Sequence, residues 1–400
     1  GADASVMITA SHLPFNKNGL KFFTQEGGLE GKDISEILSF AAEGKALTPD
    51  KNGSVREINY IDAYAESLVK FVREKTGREK PLSGKKIIVD AGNGAGGFYV
   101  DKVLKPLGAD TEGSQFLEPD GRFPNHIPNP ENKDAMRSIS EQVKKVKADF
   151  GIIFDTDVDR AGAVDSQGEE INRNRLIALI SAMLLSEKPG VIVTDSVTSD
   201  GLAEFIKNHG GVHRRFKRGY KNVIDESKRL NAEGIYSPLA IETSGHAALK
   251  ENYFLDDGAY LVTRILISLA KLSNEGKDIS ELIKDLPEPA EAAEVRLTFA
   301  EGADFKTLGN GAIEDIKTRA PAMDGLSLAP DNFEGVRIVF GKDAGDGWAL
   351  VRMSLHEPIM PINFESNKTG GCRQIAKTLL SLLGKYDFLN TENLEKYLAK

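Results

Sequence analysis

The chain has 400 residues, of which 40% are hydrophobic and 28% charged, and its formal net charge at pH 7 is −9. This length allows roughly two to four domains, whereas the acidic balance argues against a nucleic-acid binder, and no apolar run reaches the ~20 residues that a membrane helix needs. The single cysteine, Cys372, excludes an intrachain disulfide and a thiolate metal site, and it suits the cytoplasm or another reducing compartment such as a plastid.

Three apolar segments, each followed by a polar or glycine-containing turn, predict strands of parallel sheets, because a strand buried on both faces is a continuous apolar run. They are residues 6–11, 86–94 and 191–201. A helical pattern follows each of them, most clearly at residues 202–208. Their arrangement predicts repeated α/β units of domain size.

Charge, glycine and proline accumulate at residues 74–85, 186–190 and 285–294, which predicts three domain boundaries. We therefore expect four domains, at residues 1–75, 76–187, 188–287 and 288–400. The last domain has predicted strands at residues 295–299, 326–329, 336–341 and 348–364, and predicted helices at 312–319 and 374–383. This mixture favours an α+β domain built on an antiparallel sheet.

Three aspartates at a spacing of two, Asp155, Asp157 and Asp159, follow the apolar run 150–154. The carboxyl end of such a strand is where open α/β sheets place ligands. Alternate residues of an extended chain project to one side, so the three carboxylates can converge on one hard cation, which also removes their mutual repulsion.

Closely spaced aspartates also occur in EF-hands and in some phosphatases. An EF-hand is excluded, because Arg160 and Ser166 stand where its loop requires Gly and Glu. A Mg²⁺-dependent haloacid-dehalogenase-like phosphatase, with Asp155 as the nucleophile, remains an alternative. Such a phosphatase places its nucleophilic strand near the start of the catalytic core, and it would leave the serine motif unexplained.

Ser11 lies in a turn after the first predicted strand, beside His12 and soon before Lys21. A serine in such a setting can carry a phosphoryl group, whose charge the cations offset. By itself, a Ser-His pair in a turn is more often a cap or a surface feature.

Four motifs together resemble, in order and spacing, the phosphoglucomutase/phosphomannomutase (α-D-phosphohexomutase) family. The motifs are Thr9-Ala-Ser-His-Leu-Pro14, Asn18-Gly-Leu-Lys21, Asp155-Thr-Asp-Val-Asp-Arg160 and Glu242-Thr-Ser-Gly-His246. The resemblance covers essentially the whole chain. It implies an α/β fold class with three related α/β domains followed by an α+β C-terminal domain with an antiparallel sheet. The first domain is expected to be incomplete, because the family has a strand and helix block before the serine loop.

The resemblance implies that Ser11 is the phosphoserine and that it binds Mg²⁺ together with Asp155, Asp157 and Asp159. It further implies that Arg160 supports the phosphate and that Lys21 is the general acid/base. We expect His12 to orient the loop or to take part in proton transfer.

The resemblance also implies a substrate-binding set. Lys217 and Arg218 match a substrate loop, within a basic run at residues 214–221 that could bind an anion. The expected sugar contacts are Glu242, Ser244 and His246. The expected phosphate ligands are Arg352 and Ser354, followed by Leu355 and His356, which depart from the small or polar residues usual in the family.

The implied activity is that of an isomerase, an intramolecular phosphotransferase that interconverts hexose 1-phosphate and hexose 6-phosphate of glucose, mannose or both. It proceeds through the phosphoserine and a hexose 1,6-bisphosphate intermediate. A catalytically silent sugar-phosphate binding protein is a second alternative. Hexose phosphates and hexose 1,6-bisphosphate are the expected partners, with no nucleic acid and no membrane, and the chain is expected to be a monomer or a homodimer. Whether the chain is active with an incomplete first domain stays open.

Overall fold

The computed structural model describes residues 2–11, 13–44, 53–330, 332–354 and 357–399. It divides into two compact units, Gly1–Glu170 with Gly258–Gly276, and Ile171–Asp257 with Lys277–Lys400. Every helix among the described residues is too short or too polar to cross a bilayer.

The first unit begins with a small antiparallel sheet and a helix. Its elements are β1 (Ala4–Ile8), β2 (Leu20–Thr24), β3 (Gly27–Gly28) and α1 (Gly31–Ala42). The prediction of a doubly buried parallel strand at residues 6–11 is therefore wrong. β1 pairs antiparallel with β2, and all five of its residues are exposed because no described element covers either of its faces.

The second sheet of this unit is four-stranded, in the order β4-β5-β6-β7. Its elements are α2 (Tyr60–Thr76), β4 (Ile87–Asp90), α3 (Lys133–Val146), β5 (Phe150–Phe154), β6 (Ala161–Val164) and β7 (Glu170–Ile171). β4 and β5 are parallel and fully buried, as the continuous apolar runs predict. The apolar stripe of α3, with Met136 and Ile139, packs on Ile88 and Ile153 of the sheet.

The third sheet belongs to the second unit and has the order β11-β10-β8-β9. Its elements are α4 (Asn174–Glu187), β8 (Val191–Thr194), α5 (Asp200–Asn208), β9 (Val212–Arg215), α6 (Tyr220–Ala232), β10 (Leu239–Ile241) and β11 (Ala247–Leu249). β8 runs parallel to both β9 and β10, so the loops that follow these strands leave the sheet at one edge. The next helix, α7 (Gly258–Ser273), returns to the first unit and packs on α2 and β6.

The last part of the chain is an α+β domain with a six-stranded antiparallel sheet in the order β13-β14-β15-β16-β12-β17. Its elements are β12 (Glu291–Phe299), α8 (Phe305–Arg319), β13 (Leu326–Leu328), β14 (Val336–Phe340), β15 (Gly347–Val351), β16 (Ile359–Ser366), α9 (Gly371–Leu383), β17 (Leu389–Asn390) and α10 (Glu392–Ala399). The predicted strand at residues 348–364 is two strands, because the chain turns back between Val351 and Ile359. The helix predicted at 312–319 begins at Phe305, where Asp304 caps its first turn.

Candidate active site

The three aspartates lie in the tight loop between β5 and β6. Each offers a carboxylate oxygen that lies within 4.8 Å of the others, and Asp155 is fully buried. Val158, between the second and the third, has a φ of +67°, a conformation that a β-branched residue rarely adopts. The triplet thus converges through a strained loop rather than along a regular strand.

The carboxylates fit a divalent cation. Asp157 accepts a hydrogen bond on Oδ2 from the Thr9 hydroxyl at 2.7 Å, whereas its buried Oδ1 accepts none from any described residue. Burial, and then the charge of Asp159, raise the pKa of Asp155 well above its ordinary value, and Arg160 opposes them. A cation held by these oxygen ligands would give Asp157 Oδ1 a partner and would offset the negative charge that burial and Asp159 disfavour at Asp155.

Arg160 is buried against the triplet. Its Nε donates to Asp155 Oδ2 at 2.9 Å, and its backbone N–H donates to Oδ1 at 3.1 Å. Nη1 donates to Asn129 at 3.3 Å, while Nη2 is buried without a hydrogen-bond partner among the described residues. Lys21 Nζ lies 3.6 Å from Asp159 Oδ2. Two cations therefore border the carboxylates. The unused Nη2 of Arg160 can donate a hydrogen bond to an anion.

The serine loop is tied to the aspartate loop through Thr9. The backbone N–H of Ser11 donates to the Thr9 hydroxyl at 2.9 Å, and that hydroxyl donates to Asp157. Ser11 has a φ of +52°, again in the left-handed region. Gly19 is required opposite, because a Cβ there would lie 2.4 Å from the Thr9 carbonyl oxygen. Sequence reasoning gave Thr9 no role, and His12 lies outside the described residues.

A second group of predicted site residues lies in the second unit, around Glu242 at the end of β10. Glu242 Oε1 accepts the backbone N–H of Gly219 at 2.6 Å, which joins the loop of Lys217 and Arg218 to the loop that begins at Glu242. Ser244 Oγ and His246 Nδ1 are 2.9 Å apart, and the ring of Tyr220 stacks on His246 at 5.6 Å. Carboxylate, hydroxyl and imidazole thus form one polar cluster.

Asp195, at the end of β8, holds this cluster in place and was missed by the sequence analysis. It is fully buried, and its Oδ2 accepts from the Thr243 backbone N–H at 3.2 Å and from the Thr243 hydroxyl at 2.6 Å. Burial raises the pKa of Asp195. The rule that ligands gather at the carboxyl ends of parallel strands could have found it.

Arg352 and Ser354 follow β15 in the C-terminal domain. Arg352 is 8% exposed, its Nη1 lies 3.9 Å from Glu334 Oε1, and burial lowers its pKa. The Ser354 hydroxyl accepts the backbone N–H of Glu357 at 3.3 Å. Leu355 and His356, which depart from the family pattern, lie outside the described residues.

The basic run at residues 214–221 does not act as one patch. Arg214 is paired with Glu226 at 3.0 Å and Arg215 with Asp200 at 2.6 Å, so these two arginines have structural partners. Lys217 is exposed.

The chain matches three family models, described as phosphoglucomutase/phosphomannomutase alpha/beta/alpha domains I, II and III, over residues 1–47, 59–168 and 172–290. It is 32% identical to a phosphoglucomutase of Neisseria gonorrhoeae over 93% of this chain and 75% of that protein. It is 31% identical to a phosphoglucomutase/phosphomannomutase of Thermococcus kodakarensis over 96% of this chain and 79% of that protein.

Among solved structures, a phosphoglucomutase/phosphomannomutase family protein of Burkholderia thailandensis matches with a TM-score of 0.77 and 26% identity, over 96% of this chain and 78% of that one. The chain therefore belongs to the phosphoglucomutase/phosphomannomutase family, the α-D-phosphohexomutases. The predicted family and fold class are confirmed.

Proposed function

We propose that this chain is a phosphohexomutase, an isomerase that interconverts hexose 1-phosphate and hexose 6-phosphate of glucose, mannose or both. The observation that carries the proposal is the hydrogen-bonded chain from Ser11 through Thr9 to Asp157. It connects a strained serine loop, suited to carry a phosphoryl group, to carboxylates that fit a cation. The relatives named above carry the same activity in their names.

The proposed metal is Mg²⁺, held by Ser11 once phosphorylated and by the carboxylates of Asp155, Asp157 and Asp159. All are oxygen ligands, which this hard cation prefers. When bound, the ion offsets negative charge on the phosphoryl oxygens.

In the proposed reaction, the phosphoryl group of Ser11 moves to a free hydroxyl of the hexose phosphate. A bond forms from phosphorus to the sugar oxygen as the bond from phosphorus to Ser11 Oγ breaks, and the sugar hydroxyl gives up its proton. Lys21, as the general acid/base, gives a proton to the departing Ser11 oxygen and takes up the proton of the sugar hydroxyl. His12 orients the loop or shares in the transfer, and Arg160 supports the phosphate. The bisphosphate then reverses its orientation in the site and returns its other phosphoryl group to Ser11.

We assign substrate binding to the second group. Glu242, Ser244 and His246 can hydrogen-bond adjacent sugar hydroxyls, since they offer both acceptors and donors. Lys217, Arg218, Arg352 and Ser354 are assigned to the phosphate groups. Glucose and mannose both fit this set, because none of these contacts singles out one sugar hydroxyl.

The organisation of the chain is also a proposal. We propose four domains at residues 1–75, 76–187, 188–287 and 288–400, acting as a monomer or a homodimer. The single cysteine, Cys372, is buried and unpaired, which suits the cytoplasm or another reducing compartment.

The phosphatase alternative is not favoured. It needs Asp155 as a nucleophile, yet both oxygens of that carboxylate accept hydrogen bonds from Arg160. The silent binding protein is not favoured either, because relatives that align with more than nine-tenths of the chain are named as mutases.

A substrate panel separates these functions. We expect glucose 1-phosphate or mannose 1-phosphate to be converted to the 6-phosphate without release of inorganic phosphate, when Mg²⁺ and a trace of glucose 1,6-bisphosphate are present. Release of inorganic phosphate that Asp155→Asn abolishes and Ser11→Ala leaves intact would establish the phosphatase instead. Binding of the bisphosphate without turnover would establish the silent protein.

A further inference from the structure

Glu334, in the loop before β14, places a carboxylate between Arg218 and Arg352, two residues of the proposed substrate-binding group. Its Oε2 accepts the Ser196 hydroxyl and the backbone N–H of Arg218, the latter at 3.1 Å. Its Oε1 lies 3.9 Å from Arg352 Nη1, and the side chains of Glu334 and Arg352 are only 13% and 9% exposed. The two hydrogen bonds fix this carboxylate beside the arginine.

Arg352 is a buried cation with few hydrogen-bond partners among the residues that the structure describes. Its Nε has none among the described residues, and its Nη1 reaches the Met353 carbonyl only at 3.5 Å. The contact with Glu334 is longer than a hydrogen bond and is not bidentate. A buried guanidinium in this condition has donors left for an anion with several oxygens.

The charges around this guanidinium are mixed. Glu334, Glu294 and Asp195 act on Arg352 as negative neighbours, and Arg218 acts as a positive one. A phosphate dianion that binds Arg352 therefore enters a site that already holds fixed negative charge. Between like charges a few ångströms apart, repulsion is strong where water is largely excluded.

We propose that Glu334 is an internal counterion that weakens phosphate binding at Arg352 and so determines how readily this site releases a phosphate group. The inference rests on the proposed function, because a mutase must let go of one phosphate before it takes the other. A clamp made of arginine alone would hold the bisphosphate and slow its turning over. The fixed carboxylate of Glu334 offsets part of the attraction in advance.

The test is Glu334→Gln in the full chain, because an amide oxygen can still accept from Ser196 and Arg218 while the charge is removed. We expect the Kd for inorganic phosphate, measured by isothermal titration calorimetry, to fall on the order of tenfold. In the mutase assay, KM for glucose 1-phosphate falls and kcat does not rise. Glu314→Gln, an equal change of charge at an exposed position of α8, is the matched control and leaves phosphate binding unchanged.

Phosphate binding that is unchanged or weaker in Glu334→Gln overturns the inference, since Glu334 would then only position its neighbours. Glu334→Ala is the second variant if circular dichroism shows that the first has lost its fold, and the same tightening is expected. Tighter phosphate binding in a protein that converts no hexose phosphate would contradict the proposed function and leave the counterion role standing.

Discussion

Asp157 has its two carboxylate oxygens in different surroundings. One accepts the Thr9 hydroxyl, and the other is buried without a hydrogen bond among the described residues. Asp155 and Asp159 add their own charges nearby. Without a cation this carboxylate costs stability, and with one it becomes a ligand.

The variant Asp157→Asn separates these two effects. We expect the midpoint of thermal unfolding in EDTA to be equal to or above that of the wild type, because one repelling charge is gone. In Mg²⁺ the wild type gains stability and the variant gains little. The metal affinity of the variant is expected to be reduced by about 10- to 100-fold. Asp101→Asn, an equal change on an exposed residue, is the control. Equal stabilisation of both proteins by Mg²⁺ would contradict the assignment.

Glu365 predicts a pH dependence of stability. Burial raises its pKa from 4.5 to about 7, while Trp348 Nε1 donates to it at 2.9 Å. The folded carboxyl group holds its proton more tightly than the unfolded one, so stability falls as pH rises from 4.5 to about 7. Between pH 5 and pH 8, urea titrations are expected to show a loss of free energy of unfolding, at most about 3 kcal/mol, that Glu365→Gln removes. The same loss in both proteins would exclude this group as its origin.

At the scale of elements, the sequence correctly predicted the buried strands that consist of continuous apolar runs. β4, β5 and β8 are apolar runs in parallel pairs, and the structure buries them. β1 has the same local pattern but pairs antiparallel and stays exposed, because burial depends on what covers a strand and not on the strand alone. The glycines at 309 and 311 weaken the helical pattern, so the sequence did not predict the first turns of α8.

The candidate site likewise contains residues that a local motif indicates and residues that only long-range contacts bring in. The aspartate triplet and the serine loop are short motifs: the spacing of the aspartates indicated Asp155, whereas the resemblance to the family was needed to assign Ser11. Thr9, Asp195 and Glu334 act through contacts with residues 148, 48 and 138 positions away, respectively. The carboxyl end of β8 could have pointed to Asp195 as a site residue, but no local pattern encodes the contacts themselves, which only the fold reveals.

The first residue of α7, Gly258, contacts the backbone of the aspartate loop directly. The backbone N–H of Gly258 donates to the Val158 carbonyl at 3.0 Å, and a Cβ on Gly258 would lie 2.6 Å from the carbonyl carbon of Arg160. The helix can approach this closely only because residue 258 has no side chain. The position of the loop therefore depends on a glycine.

We expect Gly258→Ala to push the helix and the loop apart. The free energy of unfolding should fall by about 1–3 kcal/mol, and Mg²⁺ affinity should fall with it. Thermal unfolding and Mg²⁺ titration measure the two effects. Gly311→Ala is the matched control: its added methyl group meets no atom within 4 Å, so stability should rise by about 0.5–1 kcal/mol. Unchanged Mg²⁺ affinity in Gly258→Ala would count against this role of the helix.

At the scale of the second unit, Arg337 of β14 connects the C-terminal domain to the loop after β8. Its guanidinium lies 3.5 Å from the centre of the Trp348 ring and donates to the carbonyl oxygens of Ser196 and Thr198 at 3.0 and 3.1 Å. It also donates to Asp200 at 3.0 Å. Burial lowers the pKa of Arg337 to about 9.

Arg337→Met should uncouple these parts of the unit. The variant keeps much of the apolar bulk beside Trp348 but leaves two buried carbonyl groups without their donor and Asp200 with Arg215 only, at a cost of about 3–5 kcal/mol. Trp348 is the single tryptophan, so its fluorescence reports the C-terminal domain while circular dichroism reports the whole chain. We expect the two urea transitions to separate in the variant. Coincident transitions at the wild-type midpoint would show that Arg337 does not couple them.

The central claim is that Ser11 carries the phosphoryl group. The most direct measurement is phosphopeptide mapping of the protein after incubation with glucose 1,6-bisphosphate and Mg²⁺. We predict phosphate on the peptide that contains Ser11, its transfer to the sugar when glucose 1-phosphate is added, and its absence from Ser11→Ala together with loss of turnover. A phosphate-free Ser11 in a protein that still converts glucose 1-phosphate, or a wild-type rate in Ser11→Ala, would contradict the account.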